Sequence, residues 1–344
     1  MEYDEKYMRR ALELAARGRG MTAANPMVGA VIVAPDGRII GEGWHRRYGE
    51  GHAEVNAVAS VSPTDRPLLP RSTIYVTLEP CSHYGKTPPC AKLLAESHIP
   101  RVVVGAGDPN PKVNGRGIAM LREAGAEVVT GVLERESQQL NYVFFTAMRH
   151  RRPFVMLKWA QSADGYMDCR RAAGMPPCHF SNALTSAATM KLRAEAGAIV
   201  TTAATVSADN ARLTLRDWPG NAPQRFIVDR RGVLTRELAV FQEGAIPPVV
   251  LCNCESPDEL WRTLYDDYHI TSVLVEAGPR FLDAILTSGQ WDALRVEIAP
   301  FALGAEGEAP APPLPHAPVI SDSAAGANRL LLLSNNPLFC GADS

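Results

Sequence analysis

The sequence has no apolar run that approaches the roughly 18 residues of a membrane-spanning helix, so no transmembrane segment is expected. Its start, from Met1 to Lys6, is acidic and polar, which is unlike the apolar centre of a signal peptide. From these two absences we expect a cytoplasmic protein with no membrane partner.

An excess of positive charge is also missing. Lysine and arginine number 35 against 37 aspartate and glutamate residues, which gives a formal net charge of −2. Proteins that bind nucleic acid usually carry a basic surface that neutralises phosphates. We therefore expect a small-molecule partner and no nucleic acid. We also expect a homo-oligomer, either a dimer or a tetramer.

Cysteine is scarce and unsuited to a disulfide framework, because the seven residues are odd in number and irregularly spaced. No Cys-x-x-Cys pair occurs, and no G-x-G-x-x-G follows a predicted strand, so the usual dinucleotide-binding motif is absent. Five cysteines are expected to be reduced thiols: Cys169, Cys178, Cys252, Cys254 and Cys340.

The chain does have length and an alternation of strand and helix patterns. With 344 residues, of which 46% are hydrophobic and 21% charged, it suits two globular domains. The alternation predicts α/β layers with ligands at strand ends. It pauses at a basic, Pro-containing joint at 150–153 and then restarts, so we expect domains at 1–148 and 149–344.

The apolar periods predict individual elements in both halves. In the first half we expect helices at 5–18, 52–59, 89–97 and 118–124, and strands at 30–33, 38–41, 73–77, 101–105 and 127–129. In the second half we expect a helix at 181–195 with Ser181 as its N-cap, strands at 154–160, 198–201, 225–229, 248–251, 272–276 and 329–333, and a surface loop at 309–318.

The clearest chemical pattern lies between His52 and Cys90. His52, Cys81 and Cys90 offer one imidazole and two thiolates, which zinc prefers, and three protein ligands leave a fourth position open. Glu54 follows His52 closely enough to reach a water at that position without being a ligand. Zinc nucleobase deaminases use such a set, with a glutamate that shuttles protons. The pattern therefore predicts a catalytic zinc site.

Two alternatives remain open at this point. His83 could act as a fourth ligand, which would close the site and make the zinc structural. The motif could also bind no metal, because His-x-Glu and Pro-Cys are each common by chance. Cys81 and Cys90 are nine positions apart, which is wider than the Cys-x-x-Cys spacing usual in this class.

These residues resemble the bifunctional deaminase–reductase family of riboflavin biosynthesis over nearly the whole chain. The similar segments of the first half are 25–29, 43–45, 52–54, 79–90, 108–111 and 114–117. Those of the second half are Lys158-x-x-x-Ser162-x-Asp164-Gly165 and the segments 192–194, 205–206, 209–216 and 276–279. One segment departs from the family pattern, because 174–179 reads Gly-Met-Pro-Pro-Cys-His where a Gly-Glu-Ser type of sequence is usual.

The resemblance implies a cytidine-deaminase-like α/β/α domain followed by a dihydrofolate-reductase-like α/β domain. The first domain would use Zn²⁺ to remove the exocyclic amine of 2,5-diamino-6-ribosylamino-4(3H)-pyrimidinone 5′-phosphate. The second would use NADPH to reduce the ribosyl group to ribityl. Two other functions stay as alternatives: a monofunctional deaminase with a non-catalytic second half, and an editing protein that binds nucleic acid.

Site residues are implied in the same way. The deaminase substrate contacts would be Asn25, His45, His83 and Lys86, and the alternative for His83 and Lys86 is a solvated surface position. The reductase substrate contacts would be Arg193, Leu213, Arg216 and Glu276. The cofactor positions would be Lys158, Ala160, Ser181, Thr205, Asp209, Gly278, Pro279, Arg280, Phe281, Leu282, Asp283 and Ala284.

Two local patterns bear on the cofactor independently of the resemblance. Gly278-Pro279 stands between a strand and a helix, where free N–H groups and the helix dipole suit a pyrophosphate. The strand 225–229 ends in Asp229-Arg230-Arg231, and an arginine near such a strand end can bind the 2′-phosphate of NADPH. Because the resemblance implies NADPH, we expect Arg230 and Arg231 to face the ribose and Asp229 to turn inward or cap the loop. The alternative is a solvated basic turn.

Overall fold

The computed structural model describes residues 2–22, 24–84, 88–110, 113–172 and 175–339. The chain forms two compact units, and their boundary along the chain lies between His150 and Arg151. The domain limits 1–148 and 149–344 remain a prediction. Within the described residues, no helix is both long and apolar enough to cross a membrane.

The first unit contains five strands and six α-helices among its described residues. The strands are β1 (Gly29–Val33), β2 (Ile39–Trp44), β3 (Thr73–Leu78), β4 (Arg101–Ala106) and β5 (Glu127–Thr130). The helices are α1 (Glu2–Ala16), α2 (Ala53–Ser60), α3 (Cys90–Glu96), α4 (Arg116–Glu123), α5 (Glu134–Leu140) and α6 (Tyr142–His150), and a short 3-10 turn spans Arg66–Arg71.

The five strands form one sheet in the order β2-β1-β3-β4-β5. The strand β1 is antiparallel to both its neighbours, whereas β3, β4 and β5 are parallel. Alternate side chains of β1 point to opposite faces of the sheet. Val31 packs with Met8 of α1, while Ile32 packs with Ala57 of α2. Both faces of the sheet are therefore covered by helices, as an α/β/α domain requires.

Close packing of α2 on β2 sets the position of the helix that follows His52. A Cβ atom at Gly43 would lie 2.3 Å from the backbone nitrogen of Ala57 and 2.4 Å from the carbonyl oxygen of Ala53. Only glycine allows this approach. The glycine of the Gly43–Trp44 pair thus brings the first turn of α2 against the sheet edge.

The second unit contains ten strands and five α-helices among its described residues. The strands are β6 (Phe154–Gln161), β7 (Tyr166–Cys169), β8 (Ala198–Thr202), β9 (Gln224–Val228), β10 (Val249–Leu251), β11 (Ser272–Val275), β12 (Ala293–Ile298), β13 (Gly307–Pro310), β14 (Val319–Ala325) and β15 (Asn328–Ser334). The helices are α7 (Ala183–Glu195), α8 (Ala203–Asp209), α9 (Ala239–Gln242), α10 (Pro257–Arg262) and α11 (Pro279–Ser288), with a π-helical turn at Thr263–Asp267 and a 3-10 turn at Gly304–Glu306.

Eight of these strands form one sheet in the order β10-β9-β8-β11-β6-β12-β15-β14, and β7 pairs with β13. The central strands from β10 to β12 are parallel, so their carboxyl ends share one edge. Leu157 of β6 packs with Trp261 and Leu282 in the main core, whereas Met156 faces the opposite side with Ile199 and Leu274. Lys158 shares the parity of Met156 and therefore projects to that second side.

Several predictions about elements are corrected by the structure. The N-cap of α7 is Asn182, whose side chain accepts N–H groups from Leu184 and Thr185, and Ser181 lies one residue before it. The strand β12 was not predicted, because Arg295 and Glu297 interrupt its apolar pattern. The predicted surface loop at 309–318 begins inside β13.

Candidate active sites

Three metal-ligating side chains of the first unit converge where elements begin or end. His52 precedes α2, Cys81 follows β3, and Cys90 is the first residue of α3. His52 Nδ1 lies 3.6 Å from Cys81 Sγ and 3.3 Å from Cys90 Sγ, and all three ligand atoms lie within 4.8 Å of one another. A tetrahedral zinc with ordinary bond lengths holds nitrogen and sulfur ligands about 3.5 Å apart. The donor set therefore fits zinc.

Backbone contacts explain how two cysteines nine positions apart meet. The Cys90 N–H donates to Cys81 Sγ at 3.3 Å, and the Ala91 N–H donates to the Cys81 carbonyl at 3.2 Å. Hydrogen bonds from Cys90 and His52 lower the pKa of Cys81 to about 4. A thiolate is the form that binds a metal.

Glu54 lies beside the ligands, in the first turn of α2, and is only 3% exposed. Burial, followed by the charge of Cys81, raises the pKa of Glu54. A carboxyl group in such a place can take up and release a proton. In the described part of the chain the cluster comprises only His52, Cys81 and Cys90, and His83 is exposed and outside it. Three ligands with an open fourth position favour a catalytic zinc over a structural one.

His45 and Asn25 extend this site on the side of His52. The rings of His45 and His52 meet edge to face with centroids 5.6 Å apart. His45 Nε2 lies 3.2 Å from the amide nitrogen of Asn25, and His45 Nδ1 lies 3.3 Å from the Gly51 carbonyl oxygen. Burial lowers the pKa of His45, which favours a neutral ring. Lys86, the remaining residue predicted to contact the substrate, lies outside the described residues.

The second unit holds a buried group of charges drawn from distant positions. Arg193 of α7 forms two hydrogen bonds to Glu276 at the end of β11, at 2.7 and 2.9 Å. Burial alone would raise the pKa of Glu276, but the Arg193 guanidinium outweighs it and lowers the pKa. Burial lowers the pKa of Lys158. The charges of Glu276 and Glu297 oppose that effect. Among the described residues, no carboxylate forms an ion pair with Lys158. A half-buried ammonium of this kind suits an oxygen of a substrate or cofactor.

The other reductase positions are placed as follows. Leu213 is buried with a left-handed backbone, φ 53°, and Arg216 is exposed but close enough to Glu276 to lower the pKa of that carboxylate. Ala160 follows Lys158 on the same side of β6. Asp209 ends α8 and accepts a hydrogen bond from Arg171 at 2.6 Å.

The Gly278–Pro279 turn differs from the expected row of free donors. The Gly278 N–H donates to Thr205 Oγ1 at 3.1 Å, and the N–H groups of Phe281 and Leu282 donate back to the Gly278 carbonyl. Pro279 has no N–H to offer. Leu282 is fully buried in the main core, whereas Arg280, Asp283 and Ala284 are exposed. The turn is therefore tied to Thr205 and leaves fewer donors for a pyrophosphate than its sequence suggests.

Two further carboxylates of the second unit accept hydrogen bonds: that of Asp229, which was predicted to do so, and that of Glu297, which was not. The Asp229 carboxylate accepts N–H groups from Val233 and Leu234, so it caps the loop as expected, while Arg230 and Arg231 are exposed. Ser181 donates to Glu297 at 2.8 Å, and Asn328 donates to the same carboxylate at 2.6 Å. Glu297 was not predicted as a functional residue, and its only signal in the sequence is an acid within β12, a strand that Arg295 also interrupts.

Comparison with protein families divides the chain in the same way. Residues 1–106 match the cytidine and deoxycytidylate deaminase zinc-binding region, and residues 153–317 match the RibD C-terminal domain. The chain is 36% identical over 328 residues to the riboflavin biosynthesis protein RibD of Aquifex aeolicus, covering 88% of each chain. It is 37% identical over 337 residues to RibD of Escherichia coli, covering 88% of this chain and 89% of that one.

Solved structures agree with these relatives. RibD of Acinetobacter baumannii has a TM-score of 0.85 at 33% identity, with 97% of this chain and 99% of that chain covered. A Thermotoga maritima diaminohydroxyphosphoribosylaminopyrimidine deaminase/5-amino-6-(5-phosphoribosylamino)uracil reductase has a TM-score of 0.82 at 34% identity, with the same coverage. With its zinc-binding deaminase region and its NADPH-type reductase region, the chain belongs to the RibD family of bifunctional deaminase–reductases of riboflavin biosynthesis.

Proposed function

We propose that the first unit deaminates 2,5-diamino-6-ribosylamino-4(3H)-pyrimidinone 5′-phosphate and that the second unit reduces the ribosyl group of the product to ribityl. The observation that carries the proposal is a three-ligand zinc set with a buried Glu54, on the same chain as a half-buried Lys158 beside Glu276. The Thermotoga maritima relative is named for the same two activities.

In the deaminase, His52, Cys81 and Cys90 would hold zinc, which when bound lowers the pKa of a water molecule and so supplies the nucleophile. Glu54 takes a proton from water and delivers it to the ring and the departing amine. Asn25 and His45 orient the pyrimidine, because their polar atoms already lie beside His52. His83 and Lys86 would contact a carbonyl or phosphate oxygen of the substrate.

In the reductase, NADPH supplies the hydride when it is bound. Lys158 hydrogen-bonds an oxygen of the substrate or cofactor, since its side chain is half-buried and forms no ion pair among the described residues. Arg193 holds Glu276 in place, and Leu213 and Arg216 complete the substrate side. The cofactor positions proposed are Ala160, Ser181, Thr205, Asp209, Arg230 and the turn 278–284.

The location, the partner and the oligomeric state of the enzyme are also part of what we propose. Cys81 and Cys90 bind zinc only as thiolates, which supports a reducing, cytoplasmic location. The net charge of −2 supports a small-molecule partner without nucleic acid. A dimer or tetramer is proposed as the assembly, and light scattering on the purified protein tests it.

The decisive experiment incubates the purified protein with the diaminopyrimidine substrate, with and without NADPH, and analyses the products by mass. Without NADPH, we expect an amino group to be exchanged for oxygen. With NADPH, the product should also gain two hydrogen atoms. A product that stops at deamination when NADPH is present would support a monofunctional deaminase instead.

A further inference from the structure

The buried carboxylate of Glu79 binds one segment of the first unit through four backbone N–H groups. Glu79 is only 4% exposed. Its Oε2 accepts from Asp108 at 3.3 Å and from Gly115 at 3.0 Å, and its Oε1 accepts from Gly117 at 3.0 Å and from Ile118 at 3.4 Å. Because both oxygens are used, one side chain joins the described stretches 108–110 and 113–118, which are together called the segment 108–118 below.

No side chain of the segment caps the start of α4, although the Arg116 N–H donates to the Val113 carbonyl at 2.7 Å. Its N-cap is Gly115, which has a left-handed backbone with φ 77° and no side chain to cap the helix. The first N–H groups of a helix need acceptors, and a negative charge there also matches the helix dipole. Glu79, which directly follows β3, supplies acceptors and a negative charge to the start of α4. The position of α4 therefore depends on that carboxylate.

The same segment packs directly on the backbone that leads to the zinc ligand Cys81. A Cβ atom at Gly117 would lie 1.9 Å from the carbonyl oxygen of Pro80. No larger residue fits without moving either α4 or the Pro80–Cys81 backbone. The glycines of the 114–117 motif therefore serve two purposes: one permits the left-handed turn and the other permits this contact.

The start of the segment is held close to the zinc ligand Cys81, because the Asp108 N–H donates to Glu79, two positions before Cys81. Asp108 is partly buried, and burial raises its pKa to about 6, with smaller effects from Glu79, His83 and Cys81. Its carboxylate accepts the Asn110 N–H at 2.8 Å. Polar groups on 108–110 thus lie beside the Glu79–Cys81 segment, which carries a zinc ligand.

We infer that Glu79 is a positioning residue of the deaminase, which fixes the segment 108–118 so that its polar groups hold the substrate beside the zinc. The inference rests on the proposed zinc site and deaminase activity. It adds a residue that touches neither the metal nor the substrate and acts through the segment it holds. Loosening the segment therefore weakens substrate binding more than it slows the chemical step.

The test compares Glu79→Gln and Gly117→Ala with the parent enzyme. Glutamine keeps the size of the side chain but turns one acceptor into an NH₂ group that faces N–H donors. We expect KM for the diaminopyrimidine to rise about ten-fold or more in both variants, with a smaller fall in kcat. Zinc content should stay near one per chain, and NADPH-dependent reduction of pre-deaminated substrate should stay within about two-fold of the parent. Glu79→Asp, which keeps the charge but is shorter, should give an intermediate KM.

Two matched variants serve as controls. Gly107 lies between β4 and Asp108. In Gly107→Ala, the added Cβ would meet only Glu79 Oε2, at 4.0 Å, which is an ordinary contact. Glu42→Gln removes a carboxylate of the same unit that pairs with Arg10. Both should leave the deaminase KM unchanged.

Unchanged KM in Glu79→Gln and Gly117→Ala would overturn the inference. Loss of zinc together with activity would also overturn it, because the residue would then act through Cys81. If Glu79→Gln does not fold, Glu79→Asp decides the question by the same readouts, because Gly117→Ala can also move the Pro80–Cys81 backbone. An inactive parent enzyme that retains zinc would count against the proposed substrate and not against the role of Glu79.

Discussion

The two units distribute their chemical groups along the chain in opposite ways. In the first unit, the zinc ligands and Glu54 all lie between His52 and Cys90. In the second, the ion-paired Arg193 and Glu276 are separated by 83 positions, and Lys158 lies on a third element. A metal site restricts both the residue types and their spacing, whereas a pocket for a large cofactor can be built from many residue types at strand ends. A short motif therefore identifies the first site but not the second.

The units also neutralise buried charge differently. The thiolate of Cys81 and its partners are suited to share a cation. Arg193 and Glu276 instead neutralise one another, with side-chain exposures of 9% and 14%. A buried ion pair is costly to desolvate and more costly to break, because one charge is then left alone. We expect variants at the zinc site to lose activity and variants at the Arg193–Glu276 pair to lose both activity and stability.

Removing a zinc ligand should have the largest effect and separate the units most clearly. Cys81→Ser should abolish deamination and lower zinc content, because a serine hydroxyl is a poor replacement for a thiolate ligand. Reduction of pre-deaminated substrate should remain mostly intact. Cys252→Ser, at an exposed cysteine of the second unit, is the matched control. Loss of both activities in a folded protein would contradict two independent sites.

Glu54→Gln should come next in size. If Glu54 transfers protons, its loss should lower deamination by about 10²–10⁴-fold. Zinc content should stay near one per chain, since Glu54 is not a ligand. Glu96→Gln, at an exposed position of α3, controls for the change of charge. A variant that loses zinc would show that Glu54 has been assigned the wrong role.

Breaking the buried pair of the second unit should cost stability. Arg193→Ala leaves Glu276 buried without its partner, which should lower the free energy of unfolding of this unit by about 3–5 kcal/mol. Urea unfolding followed by tryptophan fluorescence measures it, because every tryptophan except Trp44 lies in the second unit. Arg262→Ala breaks an exposed pair with Asp258 and should cost less than about 1 kcal/mol. Equal losses in the two variants would argue against a special role for the buried pair.

The smallest expected effect concerns the choice of cofactor. Arg230→Ala combined with Arg231→Ala should raise KM for NADPH by roughly ten-fold or more, because a charge-assisted contact to phosphate contributes about 1.5–3 kcal/mol. Use of NADH should hardly change and is the internal control. Arg262→Ala with Arg329→Ala removes two other exposed arginines of the same unit. Equal changes with both cofactors, or none with either, would exclude this turn as the 2′-phosphate site.

Much of the fold could be predicted because local patterns and tertiary packing agree. The strands β1, β3, β4 and β8 are apolar runs bounded by turn residues, and they occur as expected. The prediction failed where a polar group had a distant partner. Glu297 interrupts β12, yet it is accepted in the interior because Ser181 and Asn328 hydrogen-bond to it.

The sequence by itself determined the chemistry of the zinc ligands, the identity of Glu54 as their neighbour and the family to which the chain belongs. These depend on residue types at short or specific spacings. Only the tertiary structure decided how Cys90 reaches Cys81 and why Lys158 lies beside Glu276. It also decided that Thr205 accepts the hydrogen bond of the Gly278 N–H. It also directed Glu79 to four N–H groups of another segment. The reason is physical: hydrogen bonds and burial depend on distances between atoms, and these distances are set when remote elements pack together.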